Sequence, residues 1–129
     1  MAKLQKVLVS YDGSPHSKEA LHWAVYFSRH SGSAVTAVKV FEPVLTHPLQ
    51  KSDSLASETV AEYEELHKHD RQLMADAKTF GRKHGVEIVT ELLTGKVTES
   101  ILEYVRNNAI DLIITGNRGH GTLKQLLVG

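Results

Sequence analysis

Two short segments, far apart in the chain, hold residues suited to binding an anion. Near the start, Tyr11-Asp12-Gly13-Ser14-Pro15 follows the apolar run Val7-Leu8-Val9. Near the end, Gly116-Asn117-Arg118-Gly119-His120-Gly121 follows Leu112-Ile113-Ile114. Glycines between a buried strand and a helix let backbone N–H groups approach a ligand without Cβ interference. The helix start adds about half an elementary positive charge, which makes phosphate the natural occupant. Arg118 offers a bidentate fork to a phosphate and Asn117 a side-chain amide, although either can instead face solvent. His120 reads better as a solvated loop histidine. Asp12 either accepts hydrogen bonds from a ligand or organises the turn before Ser14 and Pro15.

Other chemistries are poorly served. The dinucleotide fingerprint G-x-G-x-x-G does not match Gly116-x-x-Gly119-x-Gly121. The chain also stops before the acid that should follow about 20 residues on. The Walker loop fails as well, because Gly95-Lys96 is followed by Val97 and Thr90 stands where its first glycine belongs. There is no cysteine, so thiol catalysis, disulfides and Cys-ligated zinc drop out. Eight histidines are present, but His67 and His69 lie on different faces of a helix. His16, His22, His30, His47 and His84 share no focus, and zinc needs three or four convergent ligands. No G-x-S-x-G elbow occurs. Asp12 is the only carboxylate near the proposed site, and one acid alone is poor equipment for fast phosphoryl transfer.

The elements around these segments predict an α/β domain. Short apolar runs alternate with amphipathic stretches, the pattern of a parallel sheet covered on both faces. Strand one is the run at 7–10. Ser14 is suited to cap the first helix and Pro15 to open it. Ser17, Ala20, Leu21, Ala24, Val25 and Ser28 form its inner stripe, and Gly32 closes it. Strand two is 34–41, followed by a polar loop to about residue 57. A long helix over 57–83 has the inner stripe Tyr63, Leu66, Leu73, Met74, Ala77 and Phe80, interrupted by Asp70. Glu64 and Lys68 are spaced for an exposed ion pair on it. Strand three is 86–93. A short helix aligns Val97, Ile101, Val105 and Ala109, strand four is 112–115, and a last helical turn or two runs through Leu123, Leu126 and Leu127. Right-handed crossovers make this a doubly wound parallel sheet of order 3-2-1-4, with helices on both faces and one domain over 1–129. Ligands bind such sheets where the strand order reverses. The crevice therefore lies between the ends of strands one and four.

The glycine spacing resembles that of the universal stress protein family. Its ATP-binding members carry Gly, two residues, Gly, nine residues, Gly, then Ser or Thr; Gly116, Gly119 and Gly129 fit that spacing. Similar wording extends over 111–121 and 123–129, and over Lys6-Val7-Leu8-Val9 into Asp12-Gly13-Ser14, with Ser17, Ala20 and Leu21. The resemblance covers nearly the whole chain outside the loop at 42–57. It implies a nucleotide-dependent regulatory module of the stress response that binds ATP. Asp12, flanked by Tyr11 and Gly13, would meet the adenosine part and the backbone of Val40 would face adenine. The phosphates would rest on Gly116, Asn117, Arg118, Gly119 and His120 and on the backbone at Gly129. The spacing favours this role over glycines that only turn the chain. A magnesium ion would be held mainly by the phosphates. Relatives often pair as homodimers through a fifth strand, preceded by the Ser or Thr; here about 15–20 further residues are expected to supply it. Without that strand, strand four would be an exposed apolar edge. The resemblance leaves two other readings: a nucleotide-independent dimeric interaction module, and a slow ATPase or nucleotidyl transferase. A dedicated enzyme is not expected.

Composition limits the partners. Apolar residues make up 41% of the chain, enough for a globular core. Fifteen Lys and Arg balance fifteen Asp and Glu, which argues against nucleic-acid binding through a broad basic surface. No apolar run approaches the roughly 20 residues of a membrane span, and Val7-Leu8-Val9 is too brief for a signal peptide. The expectation is a cytoplasmic domain.

Overall fold

In the computed structural model, which describes residues 5–42 and 53–116, strands and helices alternate along the chain. The elements are β1 (Lys6–Ser10), α1 (Pro15–Ser31), β2 (Ala34–Phe41), α2 (Asp53–Lys83), β3 (Ile88–Thr94), α3 (Val97–Asn107) and β4 (Leu112–Ile114). The strands form one parallel sheet in the order β3-β2-β1-β4. The expected topology is the observed one. The last helical segment, through Leu123, Leu126 and Leu127, lies outside the described residues.

Local chemistry explains α1. Ser14 has extended backbone angles and its hydroxyl accepts from the Ser17 N–H at 3.2 Å. Pro15, at the first helical position, needs no intrahelical partner. Gly32 takes the left-handed conformation, with φ 77°, and its N–H closes onto Ser28 O at 2.7 Å, the usual way a helix ends on glycine. Between these caps the six residues of the expected stripe are the buried ones. Its apolar members pack with Val7, Val9, Val35 and Ala37 of the sheet and Met74 and Ala77 of α2. Burying a side chain of Val or Leu size contributes roughly 1.5–3 kcal/mol, so this face carries most of the packing. The opposite face is thinner among the described residues: Leu8, Val38 and Ile101 are buried, with Val40, Leu93, Tyr104 and Ile110 packed around them.

Besides one-residue shifts at the start of β1 and the end of β4, four details differ from the sequence reading. Helix α2 starts at Asp53 rather than near 57, because no proline or glycine interrupts residues 53–80. Strand β3 begins at Ile88 and extends to Thr94; Val86 is buried but belongs to the preceding turn, its N–H bonded to Gly81 O. Ala109 is not on the α3 stripe. Asn108 caps the helix onto Tyr104 O, Ala109 turns at φ 51°, and Ile110 bonds back to Val105 O and packs beside it. Glu64 and Lys68 are both exposed and form no ion pair with each other; the ion pairs among the described residues are Lys39–Asp70 and Arg82–Glu87. The side chains of Tyr63 and Leu66 lie outside the described residues.

The amino ends of β1 and β4 are tied by Asp111. Its Oδ2 accepts from the Gln5 N–H at 2.8 Å and the Lys6 N–H at 2.9 Å, while its own N–H donates to Lys6 O. These contacts set the register Val7↔Leu112, Leu8↔Ile113 and Val9↔Ile114. Both strands therefore deliver their carboxyl ends to the same level.

Candidate functional site

The β1 end is organised around Asp12. Tyr11 donates its N–H to Val38 O at 2.8 Å, which keeps the chain against β2 beyond the last strand residue. Tyr11 is 5% exposed and lies in the main core cluster. Burial raises its pKa, helped by the charges of Asp76 and Asp12. Asp12 itself is exposed. Its Oδ1 accepts from the Ser14 N–H at 2.9 Å, and its N–H donates to Ser17 Oγ at 3.3 Å. Partial burial pushes the carboxyl pKa up. The Ser14 hydroxyl and N–H, Ser17 and the charge of Lys39 more than offset that push, so the net pKa is below the usual carboxylate value. Asp12 thus organises the turn while remaining an exposed, ionised acceptor.

Gly13 has φ 82°, and a Cβ there would stand 2.5 Å from Leu73 Cδ1 of α2. Glycine serves both needs, the left-handed turn and the close cover of α2. Gly116, at the end of β4, has a different reason. A Cβ on it would lie 2.7 Å from His16 Cβ and 2.8 Å from His16 C and O. The β4 end therefore abuts the first turn of α1, two residues after Ser14. Val40 lies near the end of β2, partly buried against the α3 face and paired in register with Leu93. Because Tyr11 bonds to Val38 O, Asp12 falls near the level of Val40.

The structure thus brings together Asp12, Gly13, Val40 and Gly116 at the carboxyl edge of β1, β2 and β4, with Tyr11 beneath them. Asn117, Arg118, Gly119, His120 and Gly129 lie outside the described residues. A separate recess of about 380 Å³, lined by Ser28, Arg29, Gly32, Ser33, His84, Gly85, Val86 and Glu87, opens at the opposite, amino end of the sheet.

The model of the universal stress protein family matches residues 3–129. The chain belongs to the universal stress protein family. A curated universal stress protein of Methanocaldococcus jannaschii is 28% identical over 127 residues, covering 97% of this chain and 71% of its own. Among solved structures, universal stress protein UspA from Lactobacillus plantarum superposes with a TM-score of 0.81 at 20% identity, covering 99% of this chain and 93% of its own. A universal stress protein from Archaeoglobus fulgidus in complex with dAMP gives a TM-score of 0.65 at 19% identity, covering 99% and 92%. At these identities the structures establish the shared fold. No described helix is long and apolar enough to cross a membrane.

Sequence reasoning missed Lys39 and the pairing of Asp70. Lys39, one residue before Val40, reaches α2, where its Nζ lies 3.7 Å from Asp70 Oδ1. Asp70 is buried at 4% exposure. The sequence carried half of the signal: an aspartate inside an apolar helical stripe needs a cation or hydrogen-bond donors, but which residue supplies them depends on the packing of α2 on β2.

Proposed function

We propose that this universal stress protein binds ATP at the carboxyl edge of β1 and β4 and acts as a nucleotide-dependent regulatory module in the stress response. The observation that carries the reading is the contact of Gly116 with His16, which sets the glycine-bearing β4 end against the start of α1. The N–H groups and positive end of α1 favour an anion nearby. Asp12, ionised and exposed, can accept from a ribose hydroxyl or base amine. Val40 supplies backbone for adenine, and 116–120 with Gly129 supply the phosphate contacts, Arg118 as a charged fork. A structural relative solved with dAMP supports an adenine nucleotide as the ligand class. Mg²⁺ would arrive with the phosphates, and family resemblance supports a homodimer as the working form.

Equilibrium binding of labelled ATP to wild-type and Gly119→Val protein tests this. Wild type should bind, and the variant should lose roughly tenfold or more, the loss of about one charge-assisted phosphate contact. Equal affinities would contradict the phosphate-loop assignment.

A further inference from the structure

The exposed rings of α1 and the recess at the amino end of the sheet form one continuous surface. Trp23 is 59% exposed and Tyr26 57%, two of the four large apolar side chains exposed among the described residues. Their rings meet edge to face at 6.0 Å, and the Tyr26 ring lies 4.4 Å from that of His30. Positions 23, 26 and 30 follow helical spacing, so the rings share the side of α1 turned away from its buried stripe. Arg29, next to His30, lines the recess, and His84 lines it from the end of α2. A ring stack joins the two helices there, with Phe80 standing 4.4 Å from His22 and 4.6 Å from His84.

Charge on this surface is one-sided. The chain as a whole balances its cations and acids, yet residues 20–33 and 77–86 contain no acid. The last turns of α1 and α2 carry Arg29 with His30 and Arg82 with Lys83. Glu19 and Asp76 precede these stretches, towards the carboxyl end of the sheet. Glu87, the acid on the recess wall, is paired with Arg82 at 3.7 Å. Glu87 and the two helix ends, each worth about half a negative charge, offset roughly two of the formal cations Arg29, Arg82 and Lys83. Positive charge therefore remains beside the rings before any histidine is protonated.

We propose that this face docks an acidic segment of a partner protein, its apolar side chains against Trp23 and Tyr26 and its carboxylates on Arg29, Lys83 and the mouth of the recess. Tryptophan, tyrosine and arginine dominate binding energy at protein interfaces, because they bury large apolar area and keep a polar end bonded. On an exposed helix face the two aromatic residues gain nothing from the core and are only middling helix formers. Charge complementarity selects an acidic segment, and the rings select one that also carries apolar side chains. A single nucleic-acid strand would be tracked by a cationic groove, whereas the cations here are confined to two helix ends. The face lies at the other end of the sheet from the proposed nucleotide site, so the two proposals stand or fall separately.

Trp23 is the sole tryptophan of the chain, so its emission reports contact at this face directly. Random peptides of about a dozen residues, selected by display on the intact protein, should be enriched in Asp and Glu together with apolar residues. A labelled synthetic peptide of the enriched sequence should bind saturably and shift Trp23 emission to the blue. The double variants Trp23→Ala/Tyr26→Ala and Arg29→Glu/Lys83→Glu should each weaken that peptide by roughly tenfold or more, read by fluorescence polarisation. Thermal unfolding should stay close to wild type in both, because all four side chains are exposed. Selection that enriches nothing, or peptides without an acidic bias, would overturn the proposal. So would binding that leaves Trp23 emission and both variants unchanged. A labelled oligothymidylate that binds more tightly than the selected peptide and shifts Trp23 emission would also overturn it, making the face a nucleic-acid surface instead.

Discussion

The two strand ends that frame the crevice are held by opposite means. At the end of β1, polar groups do the holding: Asp12 Oδ1 on the Ser14 N–H, Ser17 Oγ on the Asp12 N–H, and Ser17 Oγ donating to Ser14 O. At the end of β4, the lack of a side chain does it, since Gly116 lets the His16 backbone come within van der Waals reach. A polar turn can lose one contact and keep its shape. A backbone-to-backbone approach has no flexible part to give way. The β1 end should therefore be tolerant and tunable by charge, and the β4 end intolerant of even one methyl group.

The sharpest way to break that contrast is Gly116→Ala. Its Cβ would meet His16 Cβ at 2.7 Å and His16 C and O at 2.8 Å, and the latter two are backbone. A loss of about 1–3 kcal/mol is expected from overpacking, read as a lower urea midpoint. An unchanged midpoint would mean that β4 and α1 are not locked together. Gly13→Ala should cost less, about 1–2 kcal/mol, mostly for forcing an L side chain into the left-handed region. Its other obstacle is the tip of Leu73, which can rotate away. If Gly13→Ala proves costlier than Gly116→Ala, the ranking of the two ends is reversed.

The smallest effect concerns acid. The folded-state pKa of Asp12 is lowered, so it lies below an unfolded value of about 3.9. Its carboxylate therefore stabilises the fold above that value, and the contribution is lost as pH falls through the lower folded pKa. Asp12→Asn keeps an oxygen for the Ser14 N–H but carries no charge. Its stability should sit slightly under wild type at neutral pH and converge with it once pH falls below the folded-state pKa of Asp12. Parallel curves across that range would show that the charge contributes nothing to the turn.

Much of the architecture was legible because local rules and tertiary packing agree. Ser14, Pro15 and Gly32 mark the ends of α1 by capping chemistry, and its six-residue stripe follows helical period. Where the reading slipped, the deciding contact was one that periodicity does not register. Ala109 continued the spacing of Val97, Ile101 and Val105, yet the helix closes at Asn108 and Ile110 takes up the packing. Gly116 was visible as a glycine, but its reason, the backbone of His16, exists only once β4 lies beside β1. Asp70 was visible as an interruption, and its partner emerges only when α2 crosses β2.

One measurement bears most directly on the central claim: amide chemical shifts followed by NMR as ATP is added to the intact protein. The account predicts that Asp12, Gly13, Val40 and Gly116 shift together and saturate along one binding curve, while Gly32, Gly85 and Glu87 at the opposite end stay still. Shifts confined to that opposite end, or none at saturating ATP, would contradict it.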